Sequence, residues 1–296
     1  MVKVFGFIGK ALLWLLGIII GLIVLAVLVI AVRYWIWTPD PMADFYHERP
    51  VINMGHRGAR EAAPENTISS FQTAEAMGAH GIELDVMLSK DDRLIVIHDY
   101  DLDATTDGKG PVKEYTLAEI KKLDAGSWFD ESFTGERIPI LEEVIEALHP
   151  ATLINIELKT ESPATDGLEN MVVEVIQKYD LYNRVVVSSF NPIALLRVKI
   201  ADKKIPVGLL YAPDLPRYLS EGWFIAILRP EALHPELKMV DEDYMEWARK
   251  KGYRVNVWTV NEAADLKRML DLEVDGIITD RPDLLLELMQ ERGLAN

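Results

Sequence analysis

Two apolar runs, Ile82–Met87 and Arg93–Ile97, are separated only by Leu88-Ser89-Lys90-Asp91-Asp92, and this gap does most to restrict the fold. A parallel crossover needs a dozen or more residues, so the two segments must form an antiparallel hairpin. A turn centred on Lys90-Asp91 pairs Leu88 with Arg93, Asp85 with Val96 and Glu83 with His98. Further apolar, β-branched runs fall near 51–55, 153–158, 185–189, 206–211, 231–234, 254–258 and 275–279. They alternate with helical patterns near 66–78, 116–123, 139–148, 167–179, 192–201, 241–251 and 262–271. Such alternation marks parallel βα units. With the second hairpin arm set aside, eight strands remain, enough for an α/β chain folded as a TIM-type (β/α)8 barrel whose working face is the C-terminal ends of its strands. Residues 99–138 then form a small insertion after the His98 strand, a lid or substrate wall, with a capping box from Thr116 to Glu119.

The N-terminus is a different material. Residues 11–32 run for 22 positions without a charge, long enough to span a bilayer and longer than the apolar core of a signal peptide. Arg33, Tyr34, Trp35 and Trp37 follow as an interfacial belt, with no clean small-x-small cleavage site. The chain is thus expected to be a single-pass membrane protein with one N-terminal transmembrane helix. Residues 1–37 are the anchor, 38–50 a stiff linker around Pro39 and Pro41, and 51–296 the barrel. Lys3 and Lys10 precede the span and Arg33 alone closely follows it, which places the catalytic domain outside the cytoplasm.

Composition removes other classes. The chain carries 47 acidic against 31 basic residues, a net charge of −16, which argues against nucleic-acid binding. Zero cysteines exclude disulfides and thiolate metal sites.

Charged pairs interrupt three of the apolar runs. Glu83 and Asp85 lie two apart on one strand and so face the same way. Burying two like charges together is costly without a cation between them. His56-Arg57 and Glu157 with Lys159 end two further strands. Glu83, Asp85 and Glu157 offer hard oxygen ligands suited to Ca²⁺ or Mg²⁺. Arg57 and Lys159 can grip phosphate oxygens, and His56 and His98 can divide the roles of general base and acid. The bland reading is a salt-bridge cluster at a sheet end. Trp258 sits at the mouth end of its strand, as apolar substrate wall or as core. His234 reads as structural. Gly222-Trp223-Phe224-Ile225-Ala226-Ile227-Leu228 suits either a lipid-contacting loop or barrel core.

Taken in order, His56-Arg57-Gly58, Pro64-Glu65-Asn66-Thr67, Glu83-Leu84-Asp85-Val86, His98-Asp99, Ile156-Glu157-Leu158-Lys159, Ser188-Ser189-Phe190 and Val257-Trp258-Thr259-Val260-Asn261 resemble the glycerophosphodiester phosphodiesterase family over roughly 51–290. The resemblance implies a barrel with an insertion, one divalent metal, and hydrolysis of glycerophosphodiesters to glycerol 3-phosphate and an alcohol. It implies that Glu83, Asp85 and Glu157 are the metal ligands, His56 and His98 the acid/base pair, Arg57 and Lys159 phosphate contacts, and Glu65 a support of the site. One position departs: the family commonly carries an arginine where Asp103-Ala104-Thr105-Thr106 has Ala104. A lysophospholipase D-type enzyme acting on lysophospholipids at the membrane is the alternative, served by the same machinery. A catalytically dead binding module would have no need of two imidazoles beside a metal.

Overall fold

The computed structural model describes residues 2–47, 49–160 and 162–295, without the side chains of residues 2–11. Its strands are β1 Ile52–Gly55, β2 Gly81–Leu88, β3 Leu94–Val96, β4 Leu153–Leu158, β5 Val185–Ser189, β6 Val207–Tyr211, β7 Ala232–Pro235, β8 Arg254–Val257 and β9 Gly276–Thr279. Its helices are α1 Val2–Ile36, α2 Ala43–Tyr46, α3 Ile68–Ala76, α4 Leu117–Ile120, α5 Leu141–Ala147, α6 Leu168–Lys178, α7 Pro192–Ala201, α8 Arg217–Ser220, α9 Ile225–Leu228, α10 Glu242–Lys251, α11 Ala263–Asp271 and α12 Pro282–Glu291. The sheet runs β1-β9-β8-β7-β6-β5-β4-β2 with every neighbour parallel, and β1 pairs with β2 to close it. This is the expected eight-stranded TIM barrel.

Closure and hairpin share one strand. The lower end of β2 meets β1 (Met54 opposite Gly81, Gly55 opposite Ile82), while its upper end, Val86 to Leu88, takes β3 antiparallel. The register corrects the expected one by a residue: Val86 faces Val96, Met87 faces Ile95 and Leu88 faces Leu94. Glu83 and Asp85 therefore do not stand opposite His98 and Val96. The turn is a three-residue loop, Lys90 to Asp92, closed by the Ser89 N–H on the Arg93 carbonyl (3.0 Å) and ending in a left-handed Asp92 at φ 54°. This register matches apolar faces. Val86 and Val96 join the layer under the helices, whereas Met87, Ile95 and Ile97 join a second cluster with Leu102, Val112 and Ile120 of the insertion. The insertion thus has a small core of its own, built on the hairpin. Within it Glu119 accepts from the Thr116 N–H at 2.9 Å, the expected capping box, on a helix of a single turn.

Strand periodicity sorts side chains between two cores. Ile82, Leu84, Val86, Ile154, Ile156 and Leu158 pack outward beneath the helices. Ile52, Met54, Leu153, Val186, Ala232 and Ile278 point into the barrel, where they meet Met42, Phe45 and Tyr46. Part of segment 38–50 is therefore α2, a plug in the barrel floor. Tyr46 is buried, its hydroxyl donates to Asn256 Oδ1 at 3.0 Å, and the Arg254 guanidinium stacks over its ring at 4.5 Å. Above the plug, Gly208 leaves room for His234: a Cβ there would lie 2.4 Å from His234 Nε2. His234 is fully buried inside the barrel, in keeping with a structural role. The sequence reading did not include α12 or the one-turn α8 and α9. Helix α12 begins on Pro282 and buries Leu285, Leu288 and Met289, supplying the helix for the last βα unit.

Helix α1 extends to Ile36, and Leu12–Ile36 is long and apolar enough to cross a membrane, with mean hydropathy 3.4 and no part of it buried in the protein. Its end is fastened to the barrel. Lys251 donates Nζ to the carbonyls of Tyr34 and Trp37, groups left open at a helix C-terminus. The side chains of Lys3 and Lys10, on which the orientation rests, lie outside the described residues.

Candidate active site

Because β2 and β4 run in register with Asp85 opposite Glu157, the inward residues at their upper ends converge. Oxygens of Glu83, Asp85 and Glu157 all lie within 4.8 Å of one another. Glu83 and Asp85 are buried. Burial and then the charges of Asp85 and Glu157 push Glu83 well above the usual carboxylate range, and burial with the Asp85 charge pushes Glu157 up to about 7. Burial works the same way on Asp85, but Lys159, Arg57 and His98 overcome it and hold Asp85 low.

Arg57 and Lys159 flank this cluster. Arg57 is left-handed at φ 52°, beside Gly58 at φ 90°, and the turn aims the Arg57 backbone N–H at Glu83 Oε2, 2.9 Å away. A Cβ on Gly58 would come within 2.3 Å of Ser70 Oγ, so this tight turn requires glycine. The Arg57 guanidinium bonds Glu65 Oε1 at 2.8 Å and lies 3.4 Å from Asp85 Oδ2. Glu65 is itself gripped by Arg60 at 2.5 Å. Lys159 Nζ lies 3.1 Å from Glu157 Oε1 and 3.5 Å from Asp85 Oδ1. Burial disfavours both cations, but the carboxylates more than compensate and raise both pKa values.

Each histidine is oriented by a carboxylate. His56 Nδ1 is 2.6 Å from Asp280 Oδ1, and His98 Nδ1 is 2.6 Å from Asp99 Oδ1. Burial lowers the His98 pKa, against the opposing pull of Asp85. Beyond Lys159 opens a cavity of about 440 Å³, walled by Phe190, Leu215, Tyr218, Leu219 and Phe224, with Tyr100 of the insertion at its edge.

A model of the glycerophosphoryl diester phosphodiesterase family matches residues 56–284, which include all of these polar groups. The chain belongs to that family. It is 44% identical over 243 residues to a glycerophosphodiester phosphodiesterase of Caldanaerobacter subterraneus, covering 81% of this chain and 98% of the relative. A Bacillus subtilis glycerophosphodiester phosphodiesterase is 36% identical over 250 residues, covering 79% of this chain and 85% of the relative. A solved Oleispira antarctica phosphodiesterase, in complex with the product sn-glycerol-3-phosphate, is 30% identical with TM-score 0.71, covering 83% of this chain and 98% of that one. The chain is accordingly an enzyme, a phosphodiester hydrolase of glycerophosphodiesters.

Within this family member, Glu83, Asp85, Glu157, Arg57, Lys159 and Glu65 form one connected cluster, tied to His98 by its electrostatic influence on Asp85. Trp258, half-buried, donates its indole N–H to the His234 carbonyl at 2.7 Å, and its ring meets the cavity-lining Phe190 edge-on at 5.4 Å. Sequence reasoning missed Asp280, Asn261 and Asn66 as members of the site. Asn261 Nδ2 donates to Asp280 Oδ2 at 2.7 Å, and Asn66 Nδ2 donates to Asp85 Oδ2 at 2.9 Å. Asp280 carried a usable signal: it ends an apolar strand, as the other site residues do.

Proposed function

We propose that this enzyme hydrolyses glycerophosphodiesters to glycerol 3-phosphate and an alcohol, with one divalent cation, Ca²⁺ or Mg²⁺, held by Glu83, Asp85 and Glu157. The observation that carries the reading is the convergence of three carboxylates on Asp85 Oδ1, a buried oxygen that makes no hydrogen bond among the described residues and lies 3.5 Å from the Lys159 ammonium. An all-oxygen donor set of this charge fits a hard cation. When bound, the cation would neutralise charge on the phosphoryl oxygens and polarise the phosphorus centre.

The remaining work belongs to side chains of the chain. Arg57 and Lys159 bind the non-bridging phosphate oxygens, their charge secured by the surrounding carboxylates. Glu65, held by Arg60, fixes the Arg57 guanidinium in its plane. The Nδ1–H of His56 and of His98 is committed to Asp280 and Asp99, so Nε2 of each is the nitrogen that moves a proton. One imidazole takes a proton from the attacking water, and the other gives one to the departing alkoxide, so that water is consumed and the phosphomonoester and alcohol are released. Trp258 supports the apolar wall through Phe190. Residues 51–296 carry this chemistry, and residues 1–37 anchor it with the barrel outside the cytoplasm.

The cavity beyond Lys159 favours a second reading, a lysophospholipase D-type activity, because its walls of Phe190, Leu215, Leu219 and Phe224 suit an acylated substrate. Choline release from glycerophosphocholine and from lysophosphatidylcholine, measured side by side with Ca²⁺, Mg²⁺ or chelator, tests both. Undiminished turnover in excess chelator after dialysis would overturn the metal reading. Release only from the lysolipid would replace the first substrate class by the second.

A further inference from the structure

The connection from β6 to β7 touches the spanning helix on one side and the substrate cavity on the other. Its Tyr218, Leu219 and Phe224 line the cavity beside Lys159. Its Ala226, together with Trp247 and Lys250 of α10, lines a groove against Val27, Ile30 and Tyr34 of α1. Val27 and Ile30 belong to Leu12–Ile36, the stretch long and apolar enough to cross a membrane. Whatever surrounds α1 at that level therefore also reaches Ala226 and Trp247.

The side chains match this position. Ile225 and Leu228 turn into the core, while Trp223 is 60% and Ile227 48% exposed. Outside α1 the described residues expose seven large apolar or aromatic side chains, and four of these, Tyr218, Trp223, Ile227 and Trp247, lie within α8 to α10. A cluster of that kind on an otherwise acidic protein needs an apolar partner. Trp223 anchors its indole N–H on Glu221 at 2.9 Å, leaving a ring with one polar edge and an apolar body, the form favoured at membrane interfaces. Lys250 edges the groove, where its ammonium can reach lipid phosphates, while Lys251 stays on the carbonyls that end α1.

We propose that Trp223, Ile227 and Trp247 form a docking surface for a phospholipid bilayer, whose acyl chains fill the groove between α1 and α9–α10. The β6–β7 connection then lies in the interface and holds the apolar wall of the cavity close to the lipid surface, so that the enzyme draws amphiphilic glycerophosphodiesters from the membrane plane. The docking rests on α1 spanning a bilayer, and the substrate consequence rests on the diesterase reading above.

The absence of cysteine makes single-cysteine probes clean. I227C and, on the insertion, S132C are labelled with a polarity-sensitive fluorophore in the full-length chain reconstituted into phosphatidylcholine vesicles. Docking shifts the emission at position 227 to the blue and lets spin-labelled lipids quench it, while position 132 stays water-like. Water-like emission at both positions overturns docking, as does shielding of position 227 without lipid quenching, the mark of a second copy or another protein. Release of the unsubstituted chain by alkaline carbonate removes the spanning helix and the proposal together. In the same vesicles, W223S/I227S is expected to lose about tenfold on lysophospholipid yet keep its rate on soluble glycerophosphocholine. Equal rates on both substrates, or equal losses on both, overturn the docking role. Failure of the unsubstituted chain on both substrates sinks the diesterase reading instead and leaves the fluorescence result to decide docking.

Discussion

His56 Nδ1 lies 2.6 Å from Asp280 Oδ1, joining the end of the first barrel strand to the end of the last across 224 residues of chain. The contact forms because β1 and β9 are adjacent and in register, Gly55 opposite Thr279, so the residues that follow each strand leave the barrel side by side. Asn261 holds Asp280 from a third loop by accepting from its N–H at 2.9 Å. The imidazole thus has its tautomer and its orientation set from outside its own strand.

Asp280 is therefore expected to act as a positioning residue. D280N should lower kcat about 10–100-fold with little change in KM, and should alter the pH profile of kcat. H56A and H98A should each cost about 10²–10⁴ in kcat while the fold survives, since both sit at the barrel mouth. Steady-state kinetics across pH checks all three. A D280N profile superimposable on that of the unsubstituted enzyme would make the contact merely structural.

Cation binding should stabilise the fold as well as support activity. At 100 times Kd, binding to the native state alone adds about 2.7 kcal/mol, visible as a higher Tm. The increment should vanish in E157Q, which removes one charge from the triad without changing its size. Differential scanning fluorimetry with Ca²⁺, Mg²⁺ and chelator measures it, independently of turnover.

Two histidines shifted by burial should cost the protein stability in acid, a trend that Glu83 and Glu157, both raised by burial, oppose in the metal-free chain. Burial and the Arg49 charge lower His80 from 6.5 to about 4, and burial lowers His234 from 6.5 to about 3. His80 Nδ1 accepts the Asn53 N–H at 3.1 Å, a role open only to the neutral ring. Below pH 6.5 the unfolded chain takes up protons that the native state refuses. The contribution of each histidine is therefore complete above 6.5 and is lost by up to about 1.4 kcal/mol per pH unit toward those native values. Chemical denaturation from pH 7.5 to 5 should show this loss as a difference between the unsubstituted chain and H80Q/H234Q, which lacks it.

The barrel floor should depend on α2. Tyr46→Ala removes a buried ring and its bond to Asn256, an expected loss of about 3–5 kcal/mol. A chain beginning at Thr38 should fold and cleave soluble diesters, whereas one beginning at Arg49 should be markedly less stable. Equal urea midpoints for the two truncations would show that the plug contributes nothing.

Much of this protein is written locally. A strand's period of two places Glu83 with Asp85 and Glu157 with Lys159 on one face whatever surrounds them, and a five-residue gap admits only a hairpin. An uncharged stretch as long as residues 11–32 forms a helix apolar and long enough to cross a membrane, a property set by composition alone. Barrel, insertion, apolar N-terminal helix and acidic cluster were legible for this reason, each depending on neighbours in sequence. The tertiary structure decided the rest. The hairpin register came with a left-handed Asp92 and with Val86 matched to Val96 on the face beneath the helices. Asp280 reached His56 only through barrel closure, and Trp258 was set behind Phe190 by its bond to His234. Met42, Phe45 and Tyr46 look like linker until a ring of strands opens a hole of their size. Contacts between distant segments depend on where closure brings them, and no local pattern encodes that.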